Sequence, residues 1–265
     1  LIAGSGVADD IWIDQKPRAH NIGGWLALRK KLRRGGFARV YDLQTSDRSS
    51  GYYRLFWPGP YPEWSGIAAG CSHPHANPGR DAMHTLERQA EQLQMAGIQD
   101  TPVSDLSRII SDLSPFNLPA AYCLIVPGGA GHRPEKRWPL ASYQQLVRHL
   151  DKGPVTPVIC GGPDERVIGD DLVAGTKAAL NLAGRTSLID LVALAKQARF
   201  AVGNDSGPMH IAAFAGTPSV VLYAQASDPA LCAQRGPNVT ILRRPSLTEI
   251  TLDDVCAALP DKGGS

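Results

Sequence analysis

The stretch Phe200-Ala-Val-Gly-Asn-Asp-Ser-Gly-Pro-Met-His210 decides how the rest of the chain is read. Phe200-Ala-Val202 is short and apolar, as a buried strand is. Residues 206–215 are predicted as a helix, with Pro208 in the first turn, where a missing N–H costs nothing. Asp205 or Ser206 stands where a helix cap belongs. A strand that passes through a glycine turn straight into a helix is the repeating unit of a parallel α/β sheet.

The same unit recurs on both sides. Toward the C-terminus, Ser219-Val-Val-Leu-Tyr223 is rich in β-branched residues and reads as a strand. Residues 239–242 read as another strand, and 252–258 as a closing helix. Toward the N-terminus, Ser187 and Asp190 form a capping-box pattern before a helix carrying Leu188, Leu191, Leu194 and Ala195. Before it come a short strand at 181–183, a helix at 164–179 and a strand at 155–160. A further helix at 139–150 has Leu140, Tyr143, Leu146, Val147 and Leu150 on one face. The series starts at Tyr122-Cys-Leu-Ile-Val126. Such strands imply a parallel sheet covered on both faces, with ligands bound beyond the strands' carboxyl ends.

Upstream, the pattern is thinner. Residues 11–13 and 40–43 read as strands. Residues 24–34 read as a helix with Trp25, Leu28 and Leu32 inward. Residues 81–96 read as a helix with Leu86, Ala90 and Leu93 on one face. Residues 51–80 read as irregular, and 101–119 as a linker. Two strands are too few for a doubly wound sheet, so a further βαβ unit of roughly 30 residues is expected ahead of Leu1.

The totals set broad bounds. The 265 residues, 43% hydrophobic and 20% charged with net charge +2, give no argument for nucleic acid. Five cysteines without a CxxC pair point to a reducing compartment. No apolar run is long enough to span a membrane. Cys71-Ser-His-Pro-His75 has three possible metal ligands, but no second cluster completes a site. Arg29, Lys30, Lys31, Arg33 and Arg34 form a basic run, read either as a solvated face or as a contact for anionic headgroups. The aromatics Tyr52, Tyr53, Phe56, Trp57, Tyr61 and Trp64 have few basic residues among them. They are read as a packed cluster or an acceptor-side wall.

Three strand ends carry candidate chemistry. After 122–126, Gly128 and Gly129 open a loop that leads to Lys136, a point charge suited to phosphate. The loop is neither a Walker A loop nor a dinucleotide fingerprint. After 155–160, Gly161-Gly-Pro-Asp-Glu165 presents a carboxylate that can accept bonds from ribose hydroxyls. After 200–202, Asp205, Ser206 and Gly207 begin a helix whose free N–H groups can hold a diphosphate, with His210 one turn on. Taken singly, a capped helix and a solvated loop fit these stretches equally well.

Together they resemble the ADP-heptose:lipopolysaccharide heptosyltransferases, glycosyltransferase family 9. The matching runs are PGGAGHRPEKRWP (127–139), GGPDE (161–165), LAGRTSLIDLVALAKQA (182–198) and GNDSGPMHIAAFAGTPSVVLYAQASDP (203–229). The last fits the family's G-x-D-[ST]-G-x-x-H pattern. GGFARVYDLQTSDRS (35–49) is a thinner match, with Ala38 where the family has an Asp.

The resemblance implies a GT-B fold of two Rossmann-like domains with parallel sheets. Residues 1–118 would be an acceptor-side domain lacking its first βαβ unit, and 119–265 the nucleotide-sugar-binding domain. It implies inverting, metal-independent transfer of heptose from an ADP-sugar donor to an anionic glycolipid, with no cofactor. Lys136 and Asp205 would be catalytic. Gly128, Gly129, Glu165, Ser206, Gly207 and His210 would bind the nucleotide sugar, and Gln44 and Arg48 the acceptor. The family's general base lies in a turn after its first strand, so none is assigned, and neither Asp42 nor Asp47 is promoted to that role. The expected setting is the cytoplasm, with peripheral contact to the inner membrane. The other readings left open are a GT-B enzyme for a different nucleotide sugar, such as a 2-epimerase, and a binder without turnover.

Overall fold

The computed structural model describes Ile2 and residues 6–102, 105–129 and 133–260. Contacts divide the chain into Asp10–Val103 and Ser104–Ser265 with Leu1–Asp9.

In the smaller unit, α1 (Ile22–Arg34) leads to β1 (Arg39–Tyr41), α2 (Asp47–Gly51), β2 (Glu63–Gly66), β3 (His73–Pro74) and α3 (Thr85–Met95). The three strands are parallel, in the order β1-β2-β3. Two of them lie inside the stretch expected to be irregular. The expected strand at 11–13 is absent: those residues belong to no strand among the described residues, and Ile11, Trp12 and Ile13 are exposed. Phe56, Trp64, Ala68 and Cys71 form the core, with Leu32, Val40, Tyr52 and Tyr53 packed against them. The aromatic run is therefore largely a packed cluster.

On α3 the expected apolar face is not the buried one. Leu86 is 40% exposed, whereas Gln92 is 1% exposed. The Gln92 amide donates to the carbonyls of Asp42 (3.0 Å) and Ser65 (3.3 Å) and lies 3.3 Å from Ser65 Oγ. A helix can cover strand ends through such a polar group because every bond is made inside the unit.

The basic run on α1 is only partly a solvated face. Arg29 donates to the carbonyls of Leu55 (3.1 Å) and Trp57 (2.6 Å). Arg33 donates to those of Phe56 and Gly59. The two guanidiniums thus satisfy carbonyls left open where the 3-10 turn Tyr52–Phe56 ends.

The larger unit follows the sequence closely. Its strands are β4 (Tyr122–Val126), β5 (Thr156–Ile159), β6 (Leu180–Asn181), β7 (Ala201–Asn204), β8 (Ser219–Tyr223) and β9 (Val239–Arg243). They form one parallel sheet in the order β6-β5-β4-β7-β8-β9. Between them run α4 (Leu140–Leu150), α5 (Arg166–Val173), α6 (Leu188–Gln197), α7 (Gly207–Phe214) and the short α8 (Pro229–Cys232), and α9 (Leu252–Ala258) closes the unit.

Alternation along the strands builds two cores. Leu124, Val126, Ala201 and Val221 face one, with α6 and α7. Cys123, Ile125, Val202 and Leu222 face the other, with α4, α5 and α9. The Ser187–Asp190 capping box forms as expected. The helix expected at 164–179 stops at Val173 instead. Asp151 accepts the N–H groups of Lys177, Ala178 and Ala179 at 2.7, 3.0 and 3.2 Å, which holds that segment outside the helix.

Residues 105–118 pack on the larger unit. Ile109 is buried in its core beside Leu106, Leu113, Phe116 and Leu118. Lys196 Nζ ties them down through the carbonyls of Ser107 and Ile109, each at 2.9 Å.

Replacing Gln92 by Leu removes the donor to the buried Asp42 carbonyl, while the Ser65 carbonyl keeps the Asp42 N–H at 2.8 Å, and is expected to destabilise the smaller unit by roughly 1–3 kcal/mol. Urea denaturation measures this, and an unmoved midpoint would show that the amide contributes nothing.

Candidate active site

The sheet order reverses between β4 and β7, and there the loops leaving the two strands part. One buried side chain fixes both. Asn204, at the end of β7, donates to the carbonyls of Pro127 (2.8 Å) and Gly128 (3.2 Å). Its Oδ1 accepts the Trp138 N–H at 3.0 Å. The Trp138 indole in turn donates to the Ile250 carbonyl at 2.9 Å and packs edge-on against Tyr143. Both ends of the glycine loop are thereby anchored. Ala130, Gly131 and His132, within that loop, lie outside the described residues.

Close approach at the strand ends depends on glycines. A Cβ on Gly203 would come within 2.8 Å of Val126 and of Met209 Sδ, so β7 and the first turn of α7 could not sit as they do. A Cβ on Gly128 would lie 2.8 Å from the Glu165 carboxyl carbon. Glu165 therefore rests against the β4 loop. Its Oε2 accepts the Gly162 N–H at 2.6 Å, and its Oε1 is 3.9 Å from Arg137, which donates to the Gly129 carbonyl at 2.6 Å.

Lys136 closes the turn Pro134–Lys136, and its Nζ lies 3.2 Å from Asp205 Oδ2. Asp205 also receives Ser227 Oγ at 2.8 Å, the Tyr223 hydroxyl at 3.1 Å and Gln234 Nε2 at 3.2 Å. Burial alone would raise its pKa. The hydrogen bonds from Ser227 and Lys136, the Lys136 charge and the Tyr223 hydroxyl outweigh that, and the carboxyl lies below its ordinary value.

The expected helix cap is therefore corrected. Asp205 turns its carboxylate to these donors, and Ser206, the residue in the cap position, makes no side-chain capping bond. The Ser206 hydroxyl is buried and has no partner among the described residues. Gly207 is exposed at the start of α7, with open space where a Cβ would stand. His210 follows within the first turn, half-buried.

Residues from the ends of β4, β5 and β7 thus meet. Gly128, Gly129, Lys136, Glu165, Asp205, Ser206 and Gly207 form one neighbourhood in the larger unit, linked by the Lys136–Asp205 pair, the Glu165 seat against Gly128 and the Arg137 bond to Gly129. It joins a cation, two carboxylates and the N-terminal end of a helix, a combination suited to a ligand with a diphosphate and sugar hydroxyls.

The acceptor candidates belong to the smaller unit. Gln44 is exposed just beyond β1. Arg48, on α2, is already engaged: it donates to the Tyr52 hydroxyl (2.7 Å) and the Pro17 carbonyl (3.0 Å) and stacks on Trp25. The 71–75 run forms no cluster. Cys71 points to the Gly66 carbonyl, His73 to Ser72, and His75 to Glu91 at 2.7 Å. Among the described residues no group of three His, Cys, Asp or Glu side chains could hold a metal, and no helix is long and apolar enough to cross a membrane.

The family model described as glycosyltransferase family 9 (heptosyltransferase) matches residues 71–259. The chain belongs to glycosyltransferase family 9. One relative is the lipopolysaccharide heptosyltransferase 2 of Salmonella typhimurium, 35% identical over 104 residues, or 37% of this chain. That match spans only 30% of the Salmonella protein's length. Among solved structures, a family 9 glycosyl transferase from Veillonella parvula superposes with a TM-score of 0.73 at 20% identity, covering 94% of this chain and 80% of that one. The Escherichia coli heptosyltransferase WaaC with ADP gives 0.68 at 22%, covering 89% and 76%. These two likenesses bear on the fold, and they agree with the GT-B reading.

Sequence reasoning missed Asn204, Tyr223, Ser227, Gln234 and Arg137. Asn204 and Ser227 lie inside the family-like run 203–229, and a polar side chain at the end of an apolar strand was the available signal for Asn204 and Tyr223. Gln234 carries no local signal.

Because the folded-state pKa of Asp205 is depressed, its carboxylate stabilises the fold fully above the ordinary value of 3.8. That contribution is lost as pH falls through the folded-state value. The gap in urea midpoint between the protein and Asp205→Asn is expected to narrow from about pH 5 toward about pH 2. A gap independent of pH would contradict the assignment.

Proposed function

We propose that the chain transfers heptose, with inversion, from ADP-heptose to an inner-core acceptor of lipopolysaccharide. In this reading Ser104–Ser265 binds the donor and Asp10–Val103 serves the acceptor. The supporting observation is the Lys136–Asp205 pair between the loops leaving β4 and β7, with Glu165 from beyond β5 seated against Gly128, and with family membership and the ADP held by the WaaC structure beside it.

The chemistry follows from charge. An acceptor oxygen forms a bond to the anomeric carbon, the bond from that carbon to the diphosphate breaks, and the electron pair leaves with ADP. The hydroxyl proton goes to a general base. Charge therefore grows on the leaving phosphate. Lys136 and the N–H end of α7, rather than a metal, would meet it, and fixed dipoles act without reorganising. Ser206, Gly207 and His210 lie along the phosphates, Glu165 and the backbone of Gly128 and Gly129 hold the ribose, and Asp205 orients the sugar. Gln44 and Arg48 take the acceptor side. The setting is the cytoplasm, at the inner membrane's cytoplasmic face.

ADP is expected to raise the melting temperature more than UDP or GDP, and a preference for UDP would favour a different nucleotide sugar. ADP release from ADP-heptose, measured in EDTA with a Kdo–lipid A acceptor, is expected to fall about 10²–10³-fold in Lys136→Ala. No release by the unaltered chain would leave a binder without turnover. Gly128→Ala pushes Glu165 from its seat and is expected to weaken ADP roughly tenfold by calorimetry, the worth of one charge-assisted hydrogen bond.

A further inference from the structure

Asp205 has more donors than an ion pair needs. Besides Lys136, three neutral groups reach it: Tyr223 from the end of β8, Ser227 from the turn that follows, and Gln234 just after α8. All three residues are buried, with 0%, 6% and 3% of their surface exposed. The Tyr223 hydroxyl has one proton to give, and Asp205 Oδ1 shares it with Gln234 Oε1 at 2.8 Å and the Cys232 carbonyl at 3.3 Å. Burial, and then the Asp205 charge, push the Tyr223 phenol far up, so it stays protonated and able to donate.

Lys136 is the one cation among the four, and it sits on the glycine loop. In the donor site proposed above, two anions compete for it. When its ammonium turns to the diphosphate, Asp205 loses its charged partner in a half-desolvated place. A carboxylate left so tends to take up a proton. The three neutral groups lie outside the glycine loop, at the end of β8, in the turn after it and just after α8, and hydrogen bonds to the ionised form oppose such uptake by holding the pKa down.

We propose that Tyr223, Ser227 and Gln234 are positioning residues that keep Asp205 ionised and in place while Lys136 exchanges its contact with Asp205 for the donor's diphosphate. The inference rests on the donor-site reading. Among the described residues, the titratable groups that face Asp205 are Lys136 from the β4 loop, Tyr223 from β8 and Cys232 from α8. The Cys232 thiol is raised by burial and then by the Asp205 charge itself. Cys232 stays neutral near pH 7, so the balance at Asp205 is between Lys136 and the three neutral donors.

The test is a carbon-13 NMR titration of the Asp205 carboxyl in the full chain, free and with ADP. In the unaltered protein the midpoint is expected below the ordinary carboxylate range, and to rise by less than about one pH unit when ADP binds. Ser227→Ala and Tyr223→Phe are each expected to raise the free-protein midpoint by about one pH unit, and further with ADP. Ser227→Thr keeps the hydroxyl and is expected to leave it in place. Variants that fold, lose only melting temperature and leave the midpoint unmoved would overturn the positioning role. Failure of ADP to bind the unaltered chain would overturn the donor-site reading and the exchange with it, a result the free-protein titration reports separately.

Discussion

The larger unit depends on one amide. Asn204 sits with none of its surface exposed, at the point where the sheet reverses its order, and makes three hydrogen bonds there. A buried amide without partners costs several kcal/mol. Satisfied at both ends, it becomes a clamp that holds Gly128 and Trp138 to β7. Asp205 is the next residue after the clamp, and Lys136 is two residues before Trp138. Their 3.2 Å approach follows from the backbone being fixed at both ends of the loop.

How much of this the sequence discloses depends on where the contacts come from. Strands buried on both faces read as continuous apolar runs, and β4 and β8 were legible residue for residue. Helix ends were legible where the cap is local, as at Ser187 and Asp190. They were not where the end is imposed from afar, as when Asp151 holds residues 177–179. The smaller unit hid more for the same reason. β2 and β3 are four and two residues long, set among prolines and glycines, and exist by pairing across the sheet. Ile11-Trp-Ile13 has strand composition and belongs to no strand among the described residues. The buried residue of α3 is a glutamine, which no hydrophobic period can reveal.

The site divides in the same way. Lys136, Glu165 and Asp205 could be named as candidates because each stands beside a glycine turn at a strand end and the three recur together, although singly a capped helix or a solvated loop fits each as well. The residues that hold them could not be. Asn204 works on a carbonyl 77 residues away, and Gln234 on a carboxylate 29 residues away. Arg48, proposed for the acceptor side, shows the same: the bonds to Tyr52 and Pro17 that hold its guanidinium within its own unit have no sign in the sequence. A charged residue advertises itself in a sequence, whereas the neutral groups that tune it are visible only in three dimensions.

Stability is a poor account of why the polar groups gather where they do. A part-buried ion pair roughly breaks even against desolvation, and apolar replacements of like volume are often as stable. Elsewhere in the larger unit the sheet's faces are mostly aliphatic, and the buried polar groups at its other edge, the Tyr122 hydroxyl included, serve backbone carbonyls. Thr217 donates to the Ala195 carbonyl and Ser219 to that of Thr217. At the carboxyl edge the pattern changes. Asn204, Ser227 and Gln234 are tied to loops and to a carboxylate, and Tyr223 follows Val220, Val221 and Leu222 at the end of β8 with a hydroxyl aimed at that carboxylate. Local rules are broken together, at one end of the sheet and beside the reversal of strand order, which is where function rather than folding is expected to decide the residue.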